Sequence, residues 1–268
     1  MVIIYLHTWH MFCFKQKAER RKKKPKSKQL TYYALRATMT LSKITAAALL
    51  TALTLSTSGC IIHVGGQDNK DIDKSDYSSV FGGVDVSENK QVGDLSSVNG
   101  NITMQDNVIA GDASAVNGNI EIGNNVTAKE LSTINGDIKA QSYLSVKRDV
   151  STVNGNIIFA ANSRVGQDVT TVNGDIVLTN TSVGNDIQTK NGSITLLQGS
   201  VVEGDIEFES QDDSSWWSDK TREHNPPTLT IDASSDVKGN IILLQVVILE
   251  IENPALLAKV ERRYKEQQ

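Results

Sequence analysis

Cysteine is scarce in this chain of 268 residues, and the two that occur are Cys13 and Cys60. No cysteine follows residue 60, so Cys60 has no downstream partner and an internal disulfide framework is excluded. Histidine gives no metal-binding pattern either, because His224 has neither a cysteine nor a second histidine nearby. The sequence therefore predicts neither a metal site nor a cofactor.

Basic residues are few relative to acidic residues after residue 60. Residues 1–60 hold eleven of the 27 Lys and Arg residues and one of the 31 acids, which leaves residues 61–268 with 16 basic and 30 acidic residues. The resulting formal charge of −14 should repel nucleic acid and anionic lipid headgroups. The basic run KQKAERRKKKPKSKQL precedes a segment that we expect to be removed, so we predict no nucleic-acid partner.

The apolar segment that follows this basic run is too short to span a membrane. It lies within MTLSKITAAALLTALTLSTSGC, residues 39–60, where Lys43 precedes the apolar stretch and Ser58 and Gly59 precede Cys60. This order is that of a secretory signal peptide, which we place at residues 39–59. The leader has the usual length when counted from Met39, so we interpret residues 1–38 as an upstream extension.

The sequence Ser-Gly-Cys at residues 58–60 resembles the bacterial lipoprotein signal, although Thr57 stands where that family prefers leucine. The resemblance implies that Cys60 is acylated and becomes the first residue, so that membrane lipid is a partner. Several acyl chains give stable attachment, since each buried methylene adds about 0.8 kcal/mol. Ile61 rather than aspartate follows the cysteine, which implies the outer membrane. The alternative is an ordinary exported cysteine.

The body of the chain repeats one motif, Val-Asn-Gly-Asn/Asp-Ile, with small variations. Its asparagines follow one another at steps of 18, 18, 19, 19 and 18 residues. The six Asn-Gly pairs are Asn99-Gly100, Asn117-Gly118, Asn135-Gly136, Asn154-Gly155, Asn173-Gly174 and Asn191-Gly192. A period this regular indicates a repeat architecture.

Alignment on Asn-Gly gives five columns that are almost entirely aliphatic, with Lys190 as the polar exception. The columns are Leu95, Ala113, Leu131, Val150, Val169, Ile187; Val98, Val116, Ile134, Val153, Val172, Lys190; Ile102, Ile120, Ile138, Ile157, Ile176, Ile194; Met104, Ile122, Ala140, Phe159, Leu178, Leu196; and Val108, Val126, Val146, Val165, Val183, Val201. Neighbouring apolar positions such as Ile102 and Met104 are two apart, which is typical of strands. We expect all five columns to face inward.

These features predict an all-β chain folded as a parallel β-helix, or solenoid, of about 18–19 residues per coil. We expect it to be right-handed. An Asn-Gly hairpin is the alternative, but antiparallel hairpins would not require a fixed repeat length. The solenoid is predicted at residues 90–252, after a polar tether at residues 60–89 that begins with the lipidated cysteine.

The Asn-Gly pairs are interpreted as corners of the coil. Glycine permits backbone conformations closed to other residues, and asparagine side chains in register can form amide ladders. Ser/Thr pairs precede several corners, and we expect them to form a solvated outer surface, with a hydroxyl face for ice or glycan as the alternative. These pairs are Ser96-Ser97, Ser132-Thr133, Ser151-Thr152 and Thr170-Thr171.

After Val201 the pattern loosens. VVEGDIEFES and SDVKGNIILL predict further coils on either side of a polar insertion at about residues 210–227. The insertion contains Trp216 and Trp217, which we expect to pack on the solenoid or against a neighbour, with stacking on a sugar as the alternative. Residues 253–268 are predicted to form a cap with a short helix, in which Asn253 is the N-cap, Pro254 the first helical residue, and Leu257, Val260 and Tyr264 the apolar side.

Enzymatic function is not expected. There is no Ser-His-Asp order, phosphate loop or cysteine nucleophile, and no calcium-binding nonapeptide. Polysaccharide lyases with β-helices need acids clustered with Arg or Lys. Here Arg148 and Arg164 are isolated, and the acids recur at turn positions, as scaffold residues do. These acids are Asp137, Asp168, Asp175 and Asp186.

The repeats behind a lipoprotein leader resemble the bacterial adhesin-like family of β-solenoids and, more distantly, the polymer-forming bactofilins. The resemblance covers about residues 80–250 and implies a non-catalytic, lipid-anchored protein of the cell envelope. It transfers no active residues. We expect a monomer whose partner is a glycan or another envelope protein. The alternatives are a bactofilin-like polymer and, less favoured, a carbohydrate-active enzyme.

Overall fold

The computed structural model describes residues 62–64, 74–210 and 226–264. All of them belong to the second of the two compact units into which the chain divides, Leu50–Gln268. Every strand pairing among these described residues is parallel, and the strands form three sheets, here called sheets I, II and III, through which the chain passes in turn. The predicted all-β parallel solenoid is confirmed. Its handedness stays a prediction.

Sheet I holds the first strand of each coil and ends, in the regular coils, at the Asn-Gly corner. Its ten strands, numbered with all others in chain order, are β2 (Tyr77–Phe81), β4 (Leu95–Asn99), β6 (Asp112–Asn117), β9 (Glu130–Asn135), β12 (Val150–Asn154), β15 (Val169–Asn173), β18 (Ile187–Thr189), β21 (Ile206–Phe208), β24 (Ile241–Leu243) and β26 (Val260–Arg262).

Sheet II receives the chain after that corner and also has ten strands. They are β1 (Ile62–Val64), β3 (Val84–Val86), β5 (Ile102–Met104), β7 (Ile120–Ile122), β10 (Ile138–Ser142), β13 (Ile157–Ala161), β16 (Ile176–Thr179), β19 (Ile194–Leu197), β22 (Thr228–Ile231) and β25 (Ile248–Ile251).

Sheet III closes the coil with short strands. Its six strands are β8 (Thr127–Ala128), β11 (Ser145–Val146), β14 (Ser163–Val165), β17 (Thr181–Val183), β20 (Val201–Val202) and β23 (Asp236–Val237). Isolated parallel bridges continue sheet III into the earlier coils, where Thr127 pairs with Ile109 and Ile109 pairs with Gln91.

The register of the pairs stacks equivalent residues of successive coils, and three of the five predicted columns are inward as expected. Those that begin with Leu95, Ile102 and Met104 are buried throughout. Their aliphatic side chains suit strands covered by neighbours above and below, and the burial of apolar surface favours the stack over an isolated coil.

The second predicted column is wrong. Alternation from Leu95 places Ser97 inside and Val98 outside, so that the Val98 column is half-buried on the outer face of sheet I. Lys190 shares this outer row and is no exception in a core. The inward residues of the regular coils are instead small and mostly hydroxylic, namely Ser79, Ser97, Ala115, Thr133, Thr152, Thr171 and Thr189.

The fifth predicted column combines residues from two separate columns of the structure and is wrong as a single column. The pairing places Val146 opposite Ala128 and Val165, and Val183 opposite Val202 rather than Val201. Val201 is half-buried and lies outside this column. A second inward column of sheet III holds Val108, Val126, Leu144, Ser163, Thr181, Ser200 and Ser235.

The solenoid begins earlier than predicted. Residues 77–86, assigned to the tether, form β2 and β3, which pair with β4 and β5. The segment SSVFGG at residues 78–83 follows the repeat, with Phe81 in the place of the first asparagine. Within the same predicted tether, β1 pairs with β3.

The predicted insertion lies between β21, which ends at Phe208, and β22, which begins at Thr228. It therefore leaves the coil at the corner where regular coils have Asn-Gly. The coils predicted on either side of it are present, because β20 and β21 pair with β23 and β24.

The C-terminal cap contains the predicted helix α1, Pro254–Leu257. Asn253 accepts a hydrogen bond from the Ala255 N–H at 3.1 Å, as expected of an N-cap. The helix is only one turn long, and Leu256 rather than Leu257 is its buried residue. Val260 belongs to β26, which returns to sheet I, so the predicted apolar side of the helix is wrong.

Candidate functional site

The predicted site residues divide into two groups. Cys60, Trp216 and Trp217 lie outside the described residues. The six Asn-Gly corners lie within them, stacked one above another at the junction of sheets I and II.

The corner asparagines form a continuous amide ladder. Each Nδ2 donates to the Oδ1 of the asparagine one coil earlier, at 2.7 to 2.9 Å over the five steps from Asn99 to Asn191. The ladder that the sequence predicts is therefore present. Its side chains are exposed, and their mutual hydrogen bonds hold successive coils in register.

The glycine of each corner is required by close approach of the backbone. A Cβ on Gly155 would overlap the carbonyl oxygen of Gly136, and the same holds for Gly136 over Gly118. Among these six glycines, Gly174 has a φ in the positive range, at +154°. The conformational reason expected from the sequence is thus replaced by a steric one, because stacked corners leave no room for a side chain.

The residue after the glycine completes the corner. Its side-chain oxygen accepts the backbone N–H of the equivalent residue one coil later, as Asn119 does from Asp137 at 3.0 Å and Asp137 from Asn156 at 2.8 Å. Burial opposes ionisation of Asp137, but hydrogen bonds from the Asn156 N–H and the Lys139 ammonium hold its pKa below the ordinary value. This position accepts Asn or Asp because either supplies the acceptor.

A second ladder lies between sheets III and I, and the sequence indicated only two of its members, Asp168 and Asp186, as acids at recurrent turns. Acidic residues stack there, and most of them accept the backbone N–H of the equivalent residue one coil later. Such bonds run from Asp94 to Asp76 at 2.8 Å, from Asp112 to Asp94 at 2.9 Å and from Asp205 to Asp186 at 2.8 Å. The members are Asp76, Asp94, Asp112, Glu130, Asp149, Asp168, Asp186, Asp205 and finally Asn240. Their spacing of about one coil was visible in the sequence.

Charge accumulates along this acidic ladder. Arg148 neutralises part of it, with contacts of 2.7 Å to Asp112 and 3.1 Å to Glu130. Burial raises the pKa of the Asp186 carboxyl, and the adjacent carboxylates of Asp168 and Asp205 raise it further. Arg148, predicted to be isolated, is therefore a scaffold ion-pair residue.

A third ladder, which the sequence reasoning missed, runs between sheets II and III. Its residues have a left-handed backbone with φ between 43° and 64°. Asparagine tolerates this conformation better than other residues with a Cβ. The residues are Asn89, Asn107, Asn125, Tyr143, Asn162, Asn180 and Gln198. Hydrogen bonds between side-chain amides link Asn89, Asn107 and Asn125 in one series and Asn162 and Asn180 in another. Tyr143 lies between the two series and interrupts the ladder.

The Ser/Thr pairs are split by the alternation of sheet I. The second member of each pair points inward, where Thr133, Thr152 and Thr171 donate at 3.0 to 3.2 Å to the corner-glycine carbonyl of the preceding coil. Ser97 donates to Gly82 in the same way. These hydroxyls satisfy the glycine carbonyls from within. The pairs therefore do not form a wholly solvated surface as expected.

On six coils, the outer face of sheet I forms a regular strip, here called the Ser-Val-Asn strip, which borders the acidic ladder. It consists of three parallel rows with no ionisable side chain. The rows are Ser78, Ser96, Ser114, Ser132, Ser151, Thr170; Val80, Val98, Val116, Ile134, Val153, Val172; and Phe81, Asn99, Asn117, Asn135, Asn154, Asn173. Six coils at about 4.8 Å give the strip a length of about 24 Å.

Other candidate sites have less support. Within the described ranges, no group of three or more His, Cys, Asp or Glu residues is arranged to hold a metal ion. No helix in these ranges has the length and apolar character needed to cross a membrane.

No family model, curated protein or solved structure matches the chain.

Proposed function

We propose that this chain is a non-enzymatic, lipid-anchored protein of the cell envelope whose solenoid presents the Ser-Val-Asn strip as a binding surface. The observation that carries the proposal is the strip itself. Residues 61–268 have a formal charge of −14, yet the strip has no charge over six coils. An uncharged strip of hydroxyl, methyl and amide groups suits contact with a neutral envelope surface such as glycan.

The anchor in this proposal is Cys60, on the evidence of the leader at residues 39–59. In a diderm host, the wild-type chain should incorporate labelled palmitate and fractionate with the outer membrane. Cys60→Ala should remain an unlipidated precursor. Equal label in both proteins would contradict the anchor.

The non-enzymatic part of the proposal is supported by the use of the recurrent acids. Asp137, Asp168 and Asp175 each accept the backbone N–H of the next coil, at 2.8 to 3.2 Å. Carboxylates engaged in this way are held by the scaffold and are poorly placed to transfer protons. The enzyme alternative would need reactive groups elsewhere in the chain.

The binding surface can be tested by co-sedimentation of residues 61–268 with isolated peptidoglycan sacculi and with outer-membrane vesicles. We expect the protein to sediment with one of the two. The double variant Val116→Asp and Val153→Asp should lose at least about tenfold in affinity, since it places two charges in the middle row of the strip.

Val177→Asp is the matched control, because Val177 is a half-buried valine on the outer face of sheet II. It should bind like the wild type. Absence of sedimentation with either material, or equal loss in the control, would refute binding through the strip. Thermal melts should first establish that all variants are folded.

A second candidate, a structural polymer, is favoured by one observation at the C-terminal coil. Val246, Ile248 and Leu257 are 57%, 46% and 49% exposed, and β25 ends sheet II. Against stacking of coils end to end, the neighbouring edge strand β26 carries exposed Glu261 and Arg262, a common protection of sheet edges.

Electron microscopy and size-exclusion chromatography distinguish the two candidates. A polymer should form filaments that Ile248→Lys abolishes. A binding module should elute as a monomer, and Ile248→Lys should not change its elution.

A further inference from the structure

The outer face of sheet II contains an open groove with a volume of about 550 Å³. Its lining includes Thr103, Gln105, Asp106, Glu121, Gly123 and Gln141, which come from three successive coils. The volume lies in the range of sites for small ligands, which is roughly 300–1,000 Å³.

A glycine creates the groove. Gly123 stands in the stack between Gln105 and Gln141, because Ile122 pairs with Met104 on one side and Ala140 on the other. A Cβ at Gly123 would approach the Asp106 Oδ1 to 2.5 Å and the Gln105 carbonyl carbon to 2.9 Å. Two long amide side chains thus flank a position that has no side chain.

The polar groups around Gly123 differ from those of the ladders. Within the described part of the chain, the side chains of Thr103, Gln105 and Glu121 make no hydrogen bond. Gln141 accepts from the Asn124 Nδ2 at 2.8 Å through its Oε1, so that its own amide N–H groups stay available.

The charges of the groove select against an anion. Lys139 is engaged by Asp137 at 2.8 Å, while Glu88, Asp106 and Glu121 line the groove with carboxyl groups. Amide donors and carboxylate and hydroxyl acceptors at one place suit a ligand that both donates and accepts hydrogen bonds.

We propose that this groove binds one unit of a neutral sugar chain. The amides of Gln105 and Gln141 hold sugar oxygens, and Glu121 accepts from sugar hydroxyls. Tyr143, two residues after Gln141, is 61% exposed and lies outside the groove lining, at the left-handed corner that follows it. The groove lies on sheet II, so this proposal does not rest on the Ser-Val-Asn strip.

Titration calorimetry of residues 61–268 with cellohexaose, maltohexaose and chitohexaose tests the proposal. At least one should bind with a Kd below about 1 mM. Gln105→Ala and Glu121→Ala should each weaken that binding at least fivefold with little change in Tm, since neither side chain makes a hydrogen bond to a described residue and Glu121 faces Lys139 only as an exposed charge pair. Thr195→Ala, on the same outer row of sheet II but outside the groove, is the matched control and should bind normally.

Spermidine serves as the cationic probe. Binding of spermidine with no binding of the three oligosaccharides would overturn the neutral-sugar assignment, as would the absence of any binding. Oligosaccharide binding that Gln105→Ala and Glu121→Ala leave unchanged would place the site elsewhere and also refute the proposal. Loss of envelope binding by the strip variants is an independent result and affects neither outcome.

Discussion

Neighbouring residues of one strand have opposite environments in this solenoid, as Thr152 and Val153 illustrate. Thr152 is buried and donates to the Gly136 carbonyl at 3.1 Å, whereas Val153 lies half-buried on the outer face. The more polar residue is therefore the inner one, because the corner glycine supplies an acceptor that an aliphatic side chain could not satisfy.

Lysine substitutions at these two positions should give opposite results. Thr152→Lys should lower the free energy of unfolding by several kcal/mol, since it places an unpaired ammonium inside the coil. Val153→Lys should cost less than about 1 kcal/mol, as is usual for surface positions. Urea unfolding followed by far-ultraviolet circular dichroism measures both, and a larger loss in Val153→Lys would invert the orientation of the strand.

Tyr143 occupies a left-handed corner where most coils have asparagine. Replacement Tyr143→Asn should raise the free energy of unfolding by about 1 kcal/mol, because asparagine tolerates φ near 64°. Its side-chain amide can also hydrogen-bond to the asparagines of the coils on either side, which would make the ladder continuous. Tyr143→Phe keeps the unfavourable backbone and should give no gain. Thermal melts of the two variants test this prediction. Equal melting temperatures for Tyr143→Asn and Tyr143→Phe would show that neither the ladder nor the left-handed backbone limits stability at this position.

The inward columns were predictable only in part from the sequence. Leu95, Ile102 and Met104 are apolar at positions that strand alternation places inside, so pattern and geometry agree. At Ser97 and Val98 they disagree, and hydrophobicity alone selects the wrong residue. What decides is a hydrogen bond to a glycine carbonyl of the preceding coil, which becomes visible only when the coils are stacked.

The ladders are the elements that join coil to coil, and they differ in charge. At the corner between sheets I and II, the residues after the glycines mix amides with the carboxylates of Asp137 and Asp175, whereas the ladder between sheets III and I is almost wholly acidic. Asp186 stands between two acids of its ladder, while Asp175 stands between Asn156 and Ser193. Stability should therefore depend on pH through the acidic ladder.

The direction follows from the shifted pKa values. Burial raises the pKa of Asp186 and of Glu207, so the folded chain holds these protons more tightly than the unfolded chain. Their penalty is fully present above the raised pKa values and disappears as the pH falls below the ordinary ones. The lowered pKa of Asp137 acts oppositely, since its contribution is lost only as the pH falls below its ordinary value.

The melting temperature should accordingly rise as the pH falls from 7 through the raised pKa values of Asp186 and Glu207, and fall again once the pH passes below the ordinary carboxyl pKa values of about 4. Asp186→Asn keeps the acceptor for the Asp205 N–H and removes a charge, so it should melt about 2 °C higher at pH 7 and respond less to mild acid. Asp175→Asn is the control and should change little. A pH profile unaltered by Asp186→Asn would exclude the acidic ladder as its source.

These ladders also explain which elements the sequence left unseen. The Asn-Gly corner was found because two unusual residues recur together. The Asn89, Asn107 and Asn125 series recurs at the same period, but single asparagines between unlike neighbours are hard to distinguish from turn residues. The coil at residues 77–86 was missed because Phe81 replaces the asparagine on which the alignment was built.

At the scale of the whole molecule, each coil pairs only with its two neighbours, so the stack should tolerate the loss of one complete coil. Deletion of residues 150–168 joins Asp149 to Val169, which is the equivalent of Val150. The shortened protein should keep its β spectrum and unfold cooperatively at a moderately lower temperature.

Deletion of residues 150–158 is the matched comparison. It removes half a coil, so the inward columns of the later coils no longer follow those of the earlier ones, and we expect no folded product. A folded product from this deletion, or failure of the complete-coil deletion to fold, would contradict nearest-neighbour stacking.

The backbone hydrogen bonds between coils all run along the stack, and this direction governs how the molecule responds to force. If the chain is pulled between its N-terminal end and a ligand bound to the outer face of sheet I, the force acts on the hydrogen bonds between one pair of coils at a time. Each released coil of about 18 residues would yield roughly 60 Å of slack chain. Such a stack would lengthen in equal steps under constant force, while the coils that remain folded stay bound to the ligand.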